Sequence, residues 1–222
     1  MKRAYVLRWL FFTVGIMVLA LGISLTIKGQ RLGISPWDVL HVGLYQQIGL
    51  SVGTWAILLG IVIIGGTVLV TKKPPRIGAV LNMLLVGIFI DVFNWLIPEP
   101  STMPGVIAVF LAGVIVMGYG VGIYVAANLG AGPRDTVMMM IVEKTGWSIS
   151  KVRRGIELVV LAIGWGLGGP IGVGTIITAL FVGSIVNLSL PQCTLLLQRL
   201  IDGNGASLTR HRHHPSENAK SL

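Results

Sequence analysis

From Trp9 to Ile27 the chain runs for about 19 residues without one ionisable side chain. A helix of about 20 apolar residues crosses the hydrocarbon core of a bilayer. Comparable runs recur, and six candidate spans fall at roughly 6–27, 53–71, 77–97, 105–127, 153–168 and 171–190. Pro74-Pro75 separates the second from the third, Pro98, Pro100 and Pro104 bracket the next turn, and Gly168-Gly169-Pro170 divides the last two. The composition agrees. Only 11% of residues are charged and mean hydropathy is +0.84, whereas soluble domains carry about 25% charged residues. A soluble domain, a disordered chain and a disulfide scaffold are excluded. The fold class expected is all-α, a polytopic membrane protein.

Two stretches, about 33–48 and 130–146, are only moderately apolar and too short to cross comfortably. They begin with related motifs. Leu32-Gly33-Ile34-Ser35-Pro36-Trp37-Asp38 and Leu129-Gly130-Ala131-Gly132-Pro133-Arg134-Asp135 share the pattern LGxxPxD, 97 residues apart. The same offset links Gly49 to Gly146 and Ser51 to Ser148. At offset 96, Gly78 matches Gly174, Gly87 matches Gly183, and Asp91 stands opposite Asn187. Two blocks in the same order at nearly one offset imply an internal duplication. The first repeat covers 5–97, with its short segment at 32–48. The second covers 105–195, with its short segment at 129–146. A polar tail follows at 203–222.

Charge decides how these pieces thread the membrane. If the short segments dip in and return, an inside N-terminus places fifteen of the 17 Lys and Arg residues on the cytoplasmic side and only Lys28 and Arg31 outside. If both cross, the loop with Lys72, Lys73 and Arg76 falls outside, against the positive-inside rule. Six full spans plus two re-entrant half-helices are therefore expected, with both termini cytoplasmic. Three spans per half make the repeats inverted, a plan that recurs among secondary transporters. The basic N-terminus before the first apolar run resembles a signal peptide, but the run exceeds the usual 7–15 residues, so it reads as a retained span.

The motif has a local mechanism. Ser35 suits an N-cap, Pro36 the first helical position, and Asp38 the third, where a carboxylate meets free backbone N–H groups. Gly132, Pro133 and Asp135 repeat the arrangement, and Gly33 and Gly130 permit a sharp turn before each helix. Two readings fit: helix capping by Asp38 and Asp135, or a shared midplane site in which the Asp pair titrates or binds a cation. His41, three residues after Asp38, reads as structural, with a proton relay as its alternative. Met138 occupies the matching place in the second half. Asp91 lies inside the third span near its outer end, as a functional or an interfacial carboxylate; Asn187 is its counterpart. Arg134 reads as a cytoplasmic anchor, with a place facing an Asp of either motif as its alternative. Arg153 and Glu157 read as a structural i,i+4 pair.

Other patterns are discounted. Gly164 to Gly169 matches GxGxxG, but at the end of an apolar helix and not between a strand and a helix. His211, His213 and His214 read as part of a solvated tail. The single cysteine, Cys193, allows neither an intrachain disulfide nor a multi-cysteine metal site. No metal or cofactor is expected, no nucleic acid is expected as a partner, and no HExxH, GxSxG or Walker pattern marks an enzyme. Gly118, Gly120 and Gly122 in the fourth span allow close helix contact and leave a homo-oligomer through glycine-rich faces open.

The LGxxPxD motif after the first span, in a basic, glycine-rich chain of this length, resembles the YczE/YyaS/YitT family of bacterial integral membrane proteins over about residues 5–195. The resemblance implies a bacterial cytoplasmic-membrane protein and little chemistry. Two function classes follow: a transporter or exporter of a small solute, from the inverted repeats and half-helices, or a non-transporting membrane scaffold or regulatory partner, from the lack of a strongly polar pathway. The lipid bilayer is the expected partner in both.

Overall fold

A computed structural model describes residues 2–72, 74–130 and 132–203. Among these residues the protein is wholly helical. The helices are α1 (Lys2–Lys28), α2 (Pro36–Ile48), α3 (Val52–Thr71), α4 (Ile77–Leu96), α5 (Met103–Ala126), α6 (Pro133–Thr145), α7 (Ile149–Gly166) and α8 (Val173–Asp202), with a single 3-10 turn at Gln30–Leu32. Five of them, α1, α3, α4, α5 and α8, are long and apolar enough to cross a membrane. The short segments α2 and α6 have 13 residues each, about 20 Å at 1.5 Å per residue, well under a ~30 Å hydrocarbon core.

Two boundaries differ from the sequence expectation. The span expected at 153–168 is the 18-residue α7, whose first half carries Lys151, Arg153, Arg154 and Glu157, so α7 is not one of the five. The span expected to stop at 190 continues to Asp202, with Pro191 inside the helix. A proline removes one backbone donor. In α8 the helix continues beyond it and still buries Cys193 and Leu197. Of the tail at 203–222, residues 204–222 lie outside the described residues, as do Lys73 and Ala131.

At the centre of the bundle α1 lies along α5, backbone nearly touching backbone. Gly15 faces Tyr124 and Gly22 faces Met117; on the other helix Gly120 faces Leu19 and Gly113 faces Thr26. Rising numbers on one helix meet falling numbers on the other, so the two are antiparallel. A methyl on Gly22 would sit 2.3 Å from the Met117 nitrogen. Small residues give this approach in membranes, where lipid tails remove the hydrophobic drive between helices and close packing must supply the attraction. Gly118 meets Ile185 and Gly122 meets Ser189 on α8, so the glycines of the fourth span serve contacts within the chain. Phe12, Ile16, Ala20 and Ile23 of α1 fill the core with Val86 and Ile90 of α4, and the Ser24 hydroxyl donates to the Ile90 carbonyl at 3.2 Å.

Around this pair α2 packs on α7, α6 packs on α3, and α3 packs along α4. The α3–α4 seam brings Gly60 onto Met83 and Gly87 onto Ile57. By contrast α7 and α8 do not pack along each other, and Gly183 of α8 has nothing within 4 Å of where a methyl would stand. The helix starts after the loops are tightly seated: Gly78 lies on the Leu129 carbonyl, and Gly174 on the carbonyls of Leu32 and Gly33.

Candidate functional site

Each LGxxPxD segment turns on its first glycine. Gly33 has φ +90° and Gly130 φ +145°, a region closed to most L-residues. Ser35 and Gly132 then hold extended backbone at the N-cap, with Pro36 and Pro133 as the first helical residues.

The side chains do not cap as the pattern predicts. Ser35 makes no capping bond to backbone; its hydroxyl donates instead to Asp38 Oδ2 at 2.6 Å. Asp38 is 1% exposed, and its Oδ1 has no hydrogen-bond partner among the described residues. His41 Nδ1 lies 3.6 Å from that oxygen, beyond hydrogen-bond distance, and is likewise unpartnered. The two groups face each other one helical turn apart, both buried. Tyr45, on the same face, is exposed and takes no part. In the second half, Asp135 is half-buried and lines the same cavity as Tyr124 and Gly132. Asp38 is left with one oxygen that no hydrogen bond reaches.

Arg134 corrects the sequence reading most. It is no surface anchor. Its guanidinium stands 4.7 Å from the centre of the Trp37 ring, and it lines the same cavity as Asp38 and Asp135. Trp37 and Arg134 occupy the same place in the two motifs, so the segments meet at equivalent residues. Arg134 is the second residue of α6, and its side chain reaches across to Trp37 at the start of α2. An Arg over an indole face is attracted by the ring quadrupole, more strongly where water is excluded.

Both tips open onto one cavity of about 690 Å3. Ser35, Pro36, Asp38, His41, Gly130, Gly132, Pro133, Arg134 and Asp135 line it. Gly33 sits behind it, against Gly172 and Thr175 at the start of α8. Asn187 lies on its rim, exposed, and Met138 and Met139 form part of its wall. The Arg153–Glu157 pair, 2.9 Å apart, also borders it. Asp91 is elsewhere. It accepts from the Ser51 hydroxyl at 2.5 Å and from the Gly53 N–H at 2.8 Å, tying α4 to the start of α3 in the way the motif carboxylates were expected to cap their own helices.

Three contributors were not read from the sequence. Trp37 was counted only as a variable position of the motif. Tyr124 looked like one more residue of an apolar span. Asn82 is 7% exposed, lines the cavity and has an unpartnered Nδ2. A signal for Asn82 existed: an amide inside a span is costly unless it has a task. Among the described residues no three His, Cys, Asp or Glu side chains converge as metal ligands.

A family described as one of unknown function, DUF6198, matches residues 6–191. The chain is 56% identical over 197 residues to the uncharacterized membrane protein YczE of Bacillus subtilis strain 168, covering 89% of this chain and 92% of that protein. It is 28% identical over 188 residues to the uncharacterized protein YyaS of the same organism, covering 83% and 93%. It is 31% identical over 177 residues to an uncharacterized protein of Haemophilus influenzae, covering 78% of each. No solved structure matches the chain.

Proposed function

The chain belongs to the DUF6198 family and, like its relative YczE, is a membrane protein; on that footing we propose that it is a small-solute transporter of the bacterial cytoplasmic membrane. The observation that carries the reading is the meeting of both motif tips at one central cavity of about 690 Å3, within the usual range for small-molecule pockets. Broken or re-entrant helices whose N-termini line a midplane site are the arrangement secondary transporters use. A scaffold has no need of a cavity lined by ionisable groups that bury at a cost.

The reading includes two inverted repeats, 5–97 and 105–195, with α7 as the sixth crossing. The glycine contacts support it. Shifting numbers by 98 exchanges the Gly15–Tyr124 contact for Thr26–Gly113, and Gly22–Met117 for Leu19–Gly120. Such reciprocity is what a two-fold axis between α1 and α5 requires. The swapped packing of α2 on α7 and α6 on α3 obeys the same exchange. One departure from symmetry supports alternating access: α3 is closed on α4 while its counterpart α7 stands off α8. With both termini inside, the closed seam is the outer one and the open seam faces the cytoplasm.

Reporter fusions test the topology. Fusions at residues 50, 74, 101, 149 and 205 are expected to report out, in, out, in and in; a periplasmic signal at 74 overturns the inverted repeat. Solute profiling tests the function. A strain lacking the gene is expected to gain or lose a cellular solute, restored by the wild-type chain and not by a folded variant with Asp38→Asn and Asp135→Asn. Full restoration by that variant supports the scaffold instead.

A further inference from the structure

The groups inside the cavity are left half-used, and in a complementary way. Asp38 Oδ1 accepts no hydrogen bond, His41 Nδ1 standing 3.6 Å away, on a side chain that is 1% exposed. Asn82 Nδ2 is an unpartnered donor on a side chain that is 7% exposed. Arg134 has five N–H donors; it stacks on Trp37 but forms no hydrogen bond or close ion pair among the described residues. Asp135 differs, being only half-buried, and neither of its oxygens is an orphaned buried atom. Between the charged ends the wall is apolar: Ile23, Met83, Val86 and Met117.

We propose that the solute of this cavity is a small zwitterion with an apolar body, its ammonium on Asp38 Oδ1 and its carboxylate on Arg134 and Asn82; this rests on the transport reading for the word solute, and on the geometry alone for the ligand class. Charge argues against either half by itself. A lone amine seated at Asp38 meets the Arg134 guanidinium beside it. A lone carboxylate seated at Arg134 meets two Asp side chains. A zwitterion answers both, and like-charge contact excludes the half-ligands. The Arg134 guanidinium lies over the Trp37 ring with no hydrogen bond of its own among the described residues, and a planar guanidinium can take a carboxylate with two parallel bonds.

The test measures binding to the purified full chain in detergent at pH 7, by equilibrium dialysis and by the thermal unfolding midpoint. The probes are leucine, isoamylamine (leucine without its carboxylate) and 4-methylpentanoate (leucine without its ammonium). Leucine is expected to bind at least tenfold more tightly than either half-ligand. Asp38→Asn is expected to weaken leucine at least tenfold and to tighten 4-methylpentanoate, which loses a like charge from its site. Arg134→Gln is expected to weaken leucine equally and to tighten isoamylamine, which no longer meets a second cation. The wild-type comparison needs no variant, and Asn82→Asp, which puts an acceptor at the carboxylate end, replaces Arg134→Gln if that chain does not fold. A half-ligand that binds as tightly as leucine overturns the proposal, as does failure of leucine to bind or an equal loss of all probes in each variant. A gene-dependent solute profile without leucine binding removes the zwitterion and leaves transport standing. A flat profile with leucine bound and discriminated removes transport and leaves the site.

Discussion

Ser148→Cys together with Asn187→Cys, in a Cys193→Ser background, is expected to form a disulfide that arrests transport at least tenfold, with recovery on reduction. Residues 148 and 187 stand at the start of α7 and at the middle of α8. Their counterparts in the first half, Ser51 and Asp91, are hydrogen-bonded and hold α3 on α4. Two conformations of an inverted-repeat carrier are related by exchanging the states of its halves. On the transport reading and topology proposed above, closure of the cytoplasmic side brings Ser148 and Asn187 together as Ser51 and Asp91 are now, while the outer pair parts. A disulfide needs Cα atoms within about 7 Å, and α7 does not pack along α8 in this structure, so the bond forms only if the helices approach. Ser51→Cys with Asp91→Cys, in the same background, is expected to link readily and trap the opposite state. Mass spectrometry of the digested protein, with and without reductant, reads both. A 148–187 pair that never links, beside a 51–91 pair that always does, sinks the exchange of states.

The second large effect is on stability. Gly22→Val and Gly120→Val are expected to lower stability by more than ~3 kcal/mol, at or above the upper end for overpacking a well-filled interior. At either position a first methyl would already meet a backbone nitrogen at 2.3 Å. Backbone cannot swing aside as a flexible side chain can, so the whole α1–α5 pair must part. Gly65→Ala and Gly66→Ala in α3 have open space around them and are expected to leave stability unchanged or raise it by up to ~1 kcal/mol, the helical preference of Ala over Gly. Unfolding in mixed micelles, monitored by tryptophan emission, measures all four. A Gly22→Val chain as stable as Gly65→Ala would remove the glycine seam as the fold's main contact.

The outcome at the motif shows why site chemistry was only half legible. A Pro with a carboxylate two places on marks a helix start by local geometry, and α2 and α6 do begin at Pro36 and Pro133. Local rules also assign the carboxylate to its own N–H groups. Asp38 instead takes the Ser35 hydroxyl and leaves Oδ1 open beside His41. Arg134 was assigned to the membrane surface because basic residues near span ends usually belong there. Its position over Trp37 depends on α2 and α6 meeting, and 97 residues separate those two side chains.

What the chain determined by itself is what short-range physics controls. Apolar runs of bilayer length, prolines at their breaks and the distribution of Lys and Arg carry the all-helical membrane class, the helix starts and the two short segments. These depend on hydrocarbon thickness and backbone sterics, which act residue by residue. Tertiary structure alone decided that α1 and α5 touch at glycines, that Asp91 caps α3 rather than entering the cavity, and that Arg134, Trp37, Asp38 and Asn82 share one space. Each of those facts is a meeting of helices distant in the chain. A glycine fits any close partner, and a lone polar residue in a span shows only that it needs one. Which partner it finds is set when the helices pack, by shape across the whole bundle, and no local pattern records it.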